Sequence, residues 1–133
     1  MVIGHNCLLR LLKDLGMRLS LLLLLTLLLF GCDSRDINTK AAVAAIEQGA
    51  LIIDVRSKEE IQSGMLPNAI HIPHEDILEV AQSMSLSPDQ PIVLYCRSGN
   101  RSAIALHALE SAGFTRALNG GGYAALNTML GTE

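Results

Sequence analysis

This 133-residue chain contains few cysteines, no basic surplus and no internal repeat. Only three cysteines occur, and two of them, Cys7 and Cys32, fall near the N-terminus. Cys96 is left with no partner for a structural disulfide, which excludes a disulfide-stapled scaffold. Ten Lys and Arg stand against thirteen Asp and Glu, so the net charge is −3 and no basic stripe exists to bind nucleic acid. The absence of repeats excludes a solenoid. No apolar run reaches the roughly 20 residues of a membrane-spanning helix. The length suffices for one domain and not two.

What is present begins with a leucine-rich N-terminus. Arg10, Lys13 and Arg18 precede Leu19–Phe30, a twelve-residue apolar run broken only by Ser20 and Thr26. A basic segment followed by a short apolar one reads as an export signal. Its end, Leu29-Phe30-Gly31-Cys32, resembles a bacterial lipobox, in which the cysteine is lipidated and becomes the first mature residue. Phe30 is bulkier than the residues usual at its position. Residues 1–31 are therefore expected to be a lipoprotein-type signal peptide, and residues 32–37 a lipidated Cys32 with a short tether. An uncleaved anchor helix is the alternative. Met17-Arg18 would also make a normal start for such a signal.

The mature chain then has 102 residues, a normal size for a small domain, with seven basic and twelve acidic side chains. In enterobacteria an aspartate after the lipidated cysteine, here Asp33, resembles a signal for retention in the inner membrane. The expected location is the cell envelope, lipid-anchored at the periplasmic face of that membrane. A lone thiol in an oxidising compartment is a liability, which favours a reactive role for Cys96 over a packing one.

Strand and helix signals alternate through residues 38–133. Asn38 can cap a helix over Thr39–Gln48, stopped by Gly49. Leu51–Val55 is a continuous apolar run of the kind buried on both faces of a sheet. Ser57-Lys58-Glu59-Glu60 forms a capping box for a short helix ending near Gly64. Ala69–Ile72 reads as a strand and His74–Met84 as a helix with acids in its first turn. Pro88 and Pro91 mark a loop before a strand at Ile92–Tyr95. A helix runs from Ser102 to Gly113, Arg116–Leu118 is a short strand, Gly120–Gly122 a flexible turn, and Tyr123–Leu130 a last helix. This alternation predicts a single α/β domain with a mainly parallel central sheet flanked by helices.

Such sheets bind ligands at the carboxyl ends of their strands, and Cys96 falls at one. Cys96-Arg97-Ser98-Gly99-Asn100-Arg101-Ser102 places a thiol before a turn rich in N–H groups, guanidinium charge and a helix start. Each of these favours the thiolate. The alternative is a cysteine that is merely a small buried hydrophobe. His71 and His74 form an H-x-x-H pair, but Pro73 separates them and no further ligand completes a metal set, so no metal or other cofactor is expected. His107 reads as a packed or surface residue of its helix.

Three separated motifs resemble the rhodanese family of sulfurtransferases. Asp54-Val55-Arg56, Glu60 and Gly64-Met65-Leu66-Pro67-Asn68-Ala69-Ile70-His71-Ile72-Pro73 match its first signature. The cysteine loop matches its active loop, and Leu118-Asn119-Gly120-Gly121-Gly122 its closing glycine motif. The chain has no tryptophan, and Leu126 stands where many members carry one. An export signal with one compact domain resembles the single-domain periplasmic rhodaneses of the phage shock protein E type.

The resemblance implies that Cys96 takes a sulfane sulfur from thiosulfate or a similar donor as a persulfide and passes it to cyanide or a thiol. Arg97, Ser98, Gly99, Asn100 and Arg101 would form the substrate-binding loop, with Arg97 at the mouth on the donor's sulfonate oxygens. Asp54, Arg56, Glu60 and Ser102 would brace that loop, with Arg101 paired to Asp54 or Glu60. The expected partners are a small sulfur donor, a thiol or cyanide acceptor and, through the lipid, a membrane, with the protein acting as a monomer. An envelope module that carries or senses persulfide with little turnover is the alternative. A cysteine phosphatase or arsenate reductase is a further one, but those enzymes use C-x5-R, whereas Cys96 and Arg101 make C-x4-R.

Overall fold

The computed structural model describes residues 34–132. The expected signal peptide, lipidated Cys32 and Asp33 lie outside the described residues. The elements in chain order are α1 (Ser34–Glu47), β1 (Leu51–Asp54), α2 (Lys58–Ile61), β2 (Ile70–His71), a 3-10 turn (His74–Asp76) leading into α3 (Ile77–Ser83), β3 (Ile92–Cys96), α4 (Asn100–Ser111), β4 (Ala117–Gly122) and α5 (Tyr123–Leu130). The strands form one sheet in the order β2-β1-β3-β4, every pair parallel. Among the described residues no helix is long and apolar enough to cross a membrane.

Strand β3 explains the layering. All five residues of Ile92-Val93-Leu94-Tyr95-Cys96 are buried, because a central parallel strand is covered on both faces. Side chains alternate across a strand, so Ile92, Leu94 and Cys96 share one core with Ile77, Ala81, Ala105 and Leu109 of α3 and α4. Val93 and Tyr95 enter the other, with Ala42 of α1 and Leu126 of α5. Leu126 is fully buried there, filling the place where family resemblance anticipated tryptophan. The parity that puts Leu94 on the face of α3 and α4 also puts the Cys96 thiol on that face.

Several boundaries differ from expectation. Helix α1 begins at Ser34, so Asn38 lies inside it and residues 34–37 are helical. No proline or glycine interrupts those positions. The helix expected over His74–Met84 starts as a 3-10 turn and ends at Ser83, and α4 starts at Asn100, two residues before Ser102. Gly120–Gly122 is strand, not a flexible turn. Its partner β3 dictates this: Tyr95 pairs with Gly121 and Cys96 with Gly122, while Gly120 is the extra residue of a bulge.

Packing then demands glycine in this strand. A Cβ on Gly120 would stand 3.0 Å from Leu126 and Val93 side chains, and one on Gly122 would stand 2.9 Å from the Arg97 carbonyl oxygen. The second contact is with the backbone of the cysteine loop, so the loop itself must yield. Gly122→Ala is expected to lower kcat/KM for chemistry at the expected nucleophile, Cys96, by about tenfold to a hundredfold, the scale of a small misplacement at a reacting centre. Steady-state assays alongside a thermal melt check it: the loss should exceed what any fall in folded fraction explains.

Candidate active site

Cys96 closes β3, and α4 begins four residues later at Asn100, so the thiol faces the N-terminal end of that helix. Gly99 makes the connection possible by adopting a left-handed φ of 96°, a conformation costly for any side chain with a Cβ. Its N–H then points at Cys96 Sγ, 3.0 Å away. The Ser102 hydroxyl lies 3.7 Å from the same sulfur. Burial pushes the thiol pKa up. The Ser102 and Ser98 N–H groups, the Ser102 hydroxyl and the Gly99 N–H outweigh that and bring it below the ordinary thiol value. Cys96 is only 1% exposed, so these donors act on it with little competition from water.

The loop is braced from two sides. On one, Arg101 grips Glu60 through two parallel bonds, Nη1 to Oε2 at 2.5 Å and Nη2 to Oε1 at 2.8 Å. Glu60 is itself fixed by the expected capping box: its carboxylate accepts the Ser57 N–H, and its own N–H reaches the Ser57 hydroxyl. The Arg101 fork foremost, and then the Ser57 N–H, hold the Glu60 carboxyl at about 2, against an ordinary 4.5. A depressed carboxyl stabilises the fold fully above its unfolded pKa and loses that contribution as pH falls through the folded one. The difference in melting temperature between wild type and Glu60→Gln is therefore expected to be full above pH 4.5 and to shrink as pH falls toward 2.

On the other side stands Asn119 of β4. Its Nδ2 donates to the Gly99 carbonyl at 3.0 Å, and its Oδ1 accepts from Ser102 Oγ at 2.7 Å and from the Gly121 N–H at 2.9 Å. Thr39 of α1 ties the same strand down by donating to the Gly120 carbonyl.

Beneath these lies a buried pair. Arg56 Nε is 3.0 Å from each Asp54 carboxylate oxygen, its Nη2 is 2.7 Å from Oδ2, and Nη2 also reaches the Gly64 carbonyl at 2.6 Å. The guanidinium lies 4.4 Å from the Tyr123 ring centroid and 5.8 Å from that of Tyr95. Tyr95 Oη accepts the Leu66 N–H. His71 Nε2 is 2.8 Å from the Arg56 carbonyl, and His74 Nδ1 meets Glu75. The two histidines thus serve separate neighbours.

Arg97 is exposed, as are Ser98 and Asn100. Arg97 and Ser98 border a cavity of about 310 Å³ shared with Thr39, Gly121, Gly122, Ala124 and Ala125. A larger cavity of about 490 Å³, near Ile46, Leu51, Pro67 and Leu130, has no cysteine in its lining. The smaller one opens beside the two residues that directly follow Cys96.

Residues 38–127 match the Rhodanese-like domain family. The chain belongs to that family. It is 36% identical over 87 residues to a protein named sulfurtransferase from Allochromatium vinosum, covering 65% of this chain and 77% of the relative. It is 34% identical over 83 residues to the thiosulfate sulfurtransferase GlpE of Pseudomonas savastanoi pv. phaseolicola, covering 62% and 76%. The crystal structure of a rhodanese-like domain from the Anabaena protein Alr3790 aligns with a TM-score of 0.55 at 31% identity, covering 61% of this chain and 93% of that one.

In this rhodanese-like sulfurtransferase the expected site residues fall into four groups, one of them the buried Asp54–Arg56 pair, whose further bond goes to Gly64 and not to the cysteine loop. Cys96, Ser98, Gly99 and Ser102 meet at the sulfur, Arg97 and Asn100 face outward, and Arg101 joins Glu60. Of the two acids expected to pair with Arg101, Glu60 does so, because Asp54 is taken by Arg56. That engagement makes Arg101 a brace of the loop rather than an open donor-binding group. Sequence reasoning gave no role to Asn119 or Tyr95. Asn119 lay inside the closing glycine motif, but only the bulged pairing of β4 with β3 shows what its amide reaches.

Proposed function

We propose that this rhodanese moves sulfane sulfur from thiosulfate, or a donor like it, to a thiol or cyanide through a persulfide on Cys96. One observation supports this most: a buried thiol at a strand end, met by the Gly99 N–H at 3.0 Å, in a loop of C-x4-R length. The thiolate attacks the outer sulfur of thiosulfate. An S–S bond forms to Cys96, and the bond to the sulfonate sulfur breaks with its electron pair leaving as sulfite. The outer sulfur keeps the negative charge. The acceptor's nucleophile then attacks that sulfur, and the Cys96 thiolate is restored. Backbone N–H groups at the start of α4 stabilise the charge on either sulfur.

Arg97, exposed beside the cavity, suits the sulfonate oxygens of the donor. Arg97→Ala is expected to raise the thiosulfate KM by about tenfold, the loss of one charge-assisted contact, with kcat little changed. Thiocyanate formation measured at varied thiosulfate tests both this and the activity itself. No turnover by wild type with thiosulfate would remove the donor assignment, and an unchanged KM in the variant would remove that of Arg97.

Lipidation of Cys32 at the envelope membrane belongs to the same proposal, and rests on the Leu29-Phe30-Gly31-Cys32 pattern. Labelled palmitate should enter the wild-type protein and not Cys32→Ala.

A further inference from the structure

Ser102 has one hydroxyl proton and three acceptors around it. Asn119 Oδ1 is 2.7 Å away, the Gly99 carbonyl 3.0 Å and Cys96 Sγ 3.7 Å. The side chain is fully buried, so water does not share the load. A buried acceptor abandoned by its donor is costly. Here neither oxygen would be abandoned. Asn119 Oδ1 also accepts the Gly121 N–H, and the Gly99 carbonyl also accepts Asn119 Nδ2–H and the Ala103 N–H. The amide orientation is dictated by the same contacts: turned over, its NH2 would face the Gly121 N–H and its oxygen the Gly99 carbonyl.

We propose that Asn119 is a positioning residue that keeps the Ser102 hydroxyl free to turn to Cys96 Sγ whenever that sulfur carries charge. The proposal rests on Cys96 being the reacting thiol. At rest the proton belongs to Asn119, the nearest acceptor. When Cys96 is a thiolate, the hydroxyl turns to it. When the persulfide forms, the charge moves to the outer sulfur and the proton returns to Asn119. When the acceptor removes that sulfur, the charge and the hydroxyl come back to Sγ. No bond to hydrogen is broken in the cycle; only the hydroxyl rotates.

Few other groups can produce such behaviour. Among the described residues, the charge acting on Cys96 from α4 is Arg101, which Glu60 holds, and Arg97 lies outward on the loop. Strand β4 offers no charged side chain from Ala117 to Gly122, and β1 offers Asp54, which Arg56 neutralises.

The test is the pH dependence of Cys96 alkylation by iodoacetamide in the full chain, followed on the Cys96-containing peptide so that Cys7 and Cys32 do not contribute. Asn119→Leu removes the amide at similar volume; the Gly99 carbonyl, left with the Ala103 N–H as its other donor, then holds the Ser102 proton and keeps it from Cys96. The variant's alkylation midpoint should rise by about half to one pH unit, a threefold to tenfold loss of reactivity at pH values below the midpoint. Ser102→Ala should show a rise of similar size, and the double variant no further rise. An unchanged midpoint in a folded Asn119→Leu protein, or additive shifts in the double variant, would overturn the proposal.

If Asn119→Leu does not fold, Asn119→Asp keeps the acceptor for Gly121 and binds the Ser102 proton more tightly. Its shift should then be larger with Ser102 present than in the Ser102→Ala background, and equal shifts would overturn the idea. Alkylation needs no sulfur donor. A protein that alkylates as expected yet forms no persulfide would refute the sulfur-transfer reading alone.

Discussion

Serine at position 96 is expected to end sulfur transfer while leaving the fold in place. The hydroxyl of Cys96→Ser is a far weaker nucleophile at neutral pH than a thiol whose pKa the loop lowers, and it cannot form a persulfide. Activity should fall by at least about 10³-fold, as for loss of other covalent nucleophiles. Serine can still accept the Gly99 N–H that the sulfur now meets, so the cost to stability should be no more than about 1–2 kcal/mol. Thiocyanate assays and a thermal melt on the same preparation separate the two effects. Residual activity near wild type would mean that another group carries the sulfur.

The second large effect is structural. Asp54 is fully buried and Arg56 is 5% exposed, so Asp54→Ala leaves a guanidinium charge in the interior without its carboxylate. Breaking a buried pair from one side costs about 3–5 kcal/mol. In a domain of this size that lowers the melting temperature by about 10 °C or more. Arg56 also holds the Gly64 carbonyl and lies over Tyr123, so the α2–β2 segment should loosen with it. Asp54→Asn, which keeps an oxygen acceptor, should lose less, and replacing both residues with apolar ones should recover part of the loss. Melting curves of the three variants check the order.

Much of this was legible in the sequence where side chains carry the signal. The apolar run Ile92–Tyr95 announced a strand, which the structure extends to Cys96, and the Ser57–Glu60 spacing announced a capping box that both expected bonds complete. What the sequence hid is non-local. The family resemblance offered Arg101 either Asp54 or Glu60, and the choice of Glu60, 41 residues away, follows only from the fold, where Arg56 occupies Asp54. The glycines of β4 have no side chains to show a period, so a strand held by its partner read as a turn. Asn119 belongs to the same blind spot. Its amide braces the loop because a bulge at Gly120 shifts the strand register, and bulges leave no simple composition signal.

The measurement that bears most directly on the central claim is the mass of the protein after brief treatment with thiosulfate. One added sulfur atom should appear on the Cys96-containing peptide and should be discharged by cyanide with release of thiocyanate. It should be absent in Cys96→Ser. No adduct, or an adduct that survives in that variant, would contradict the persulfide at Cys96 on which the proposed function depends.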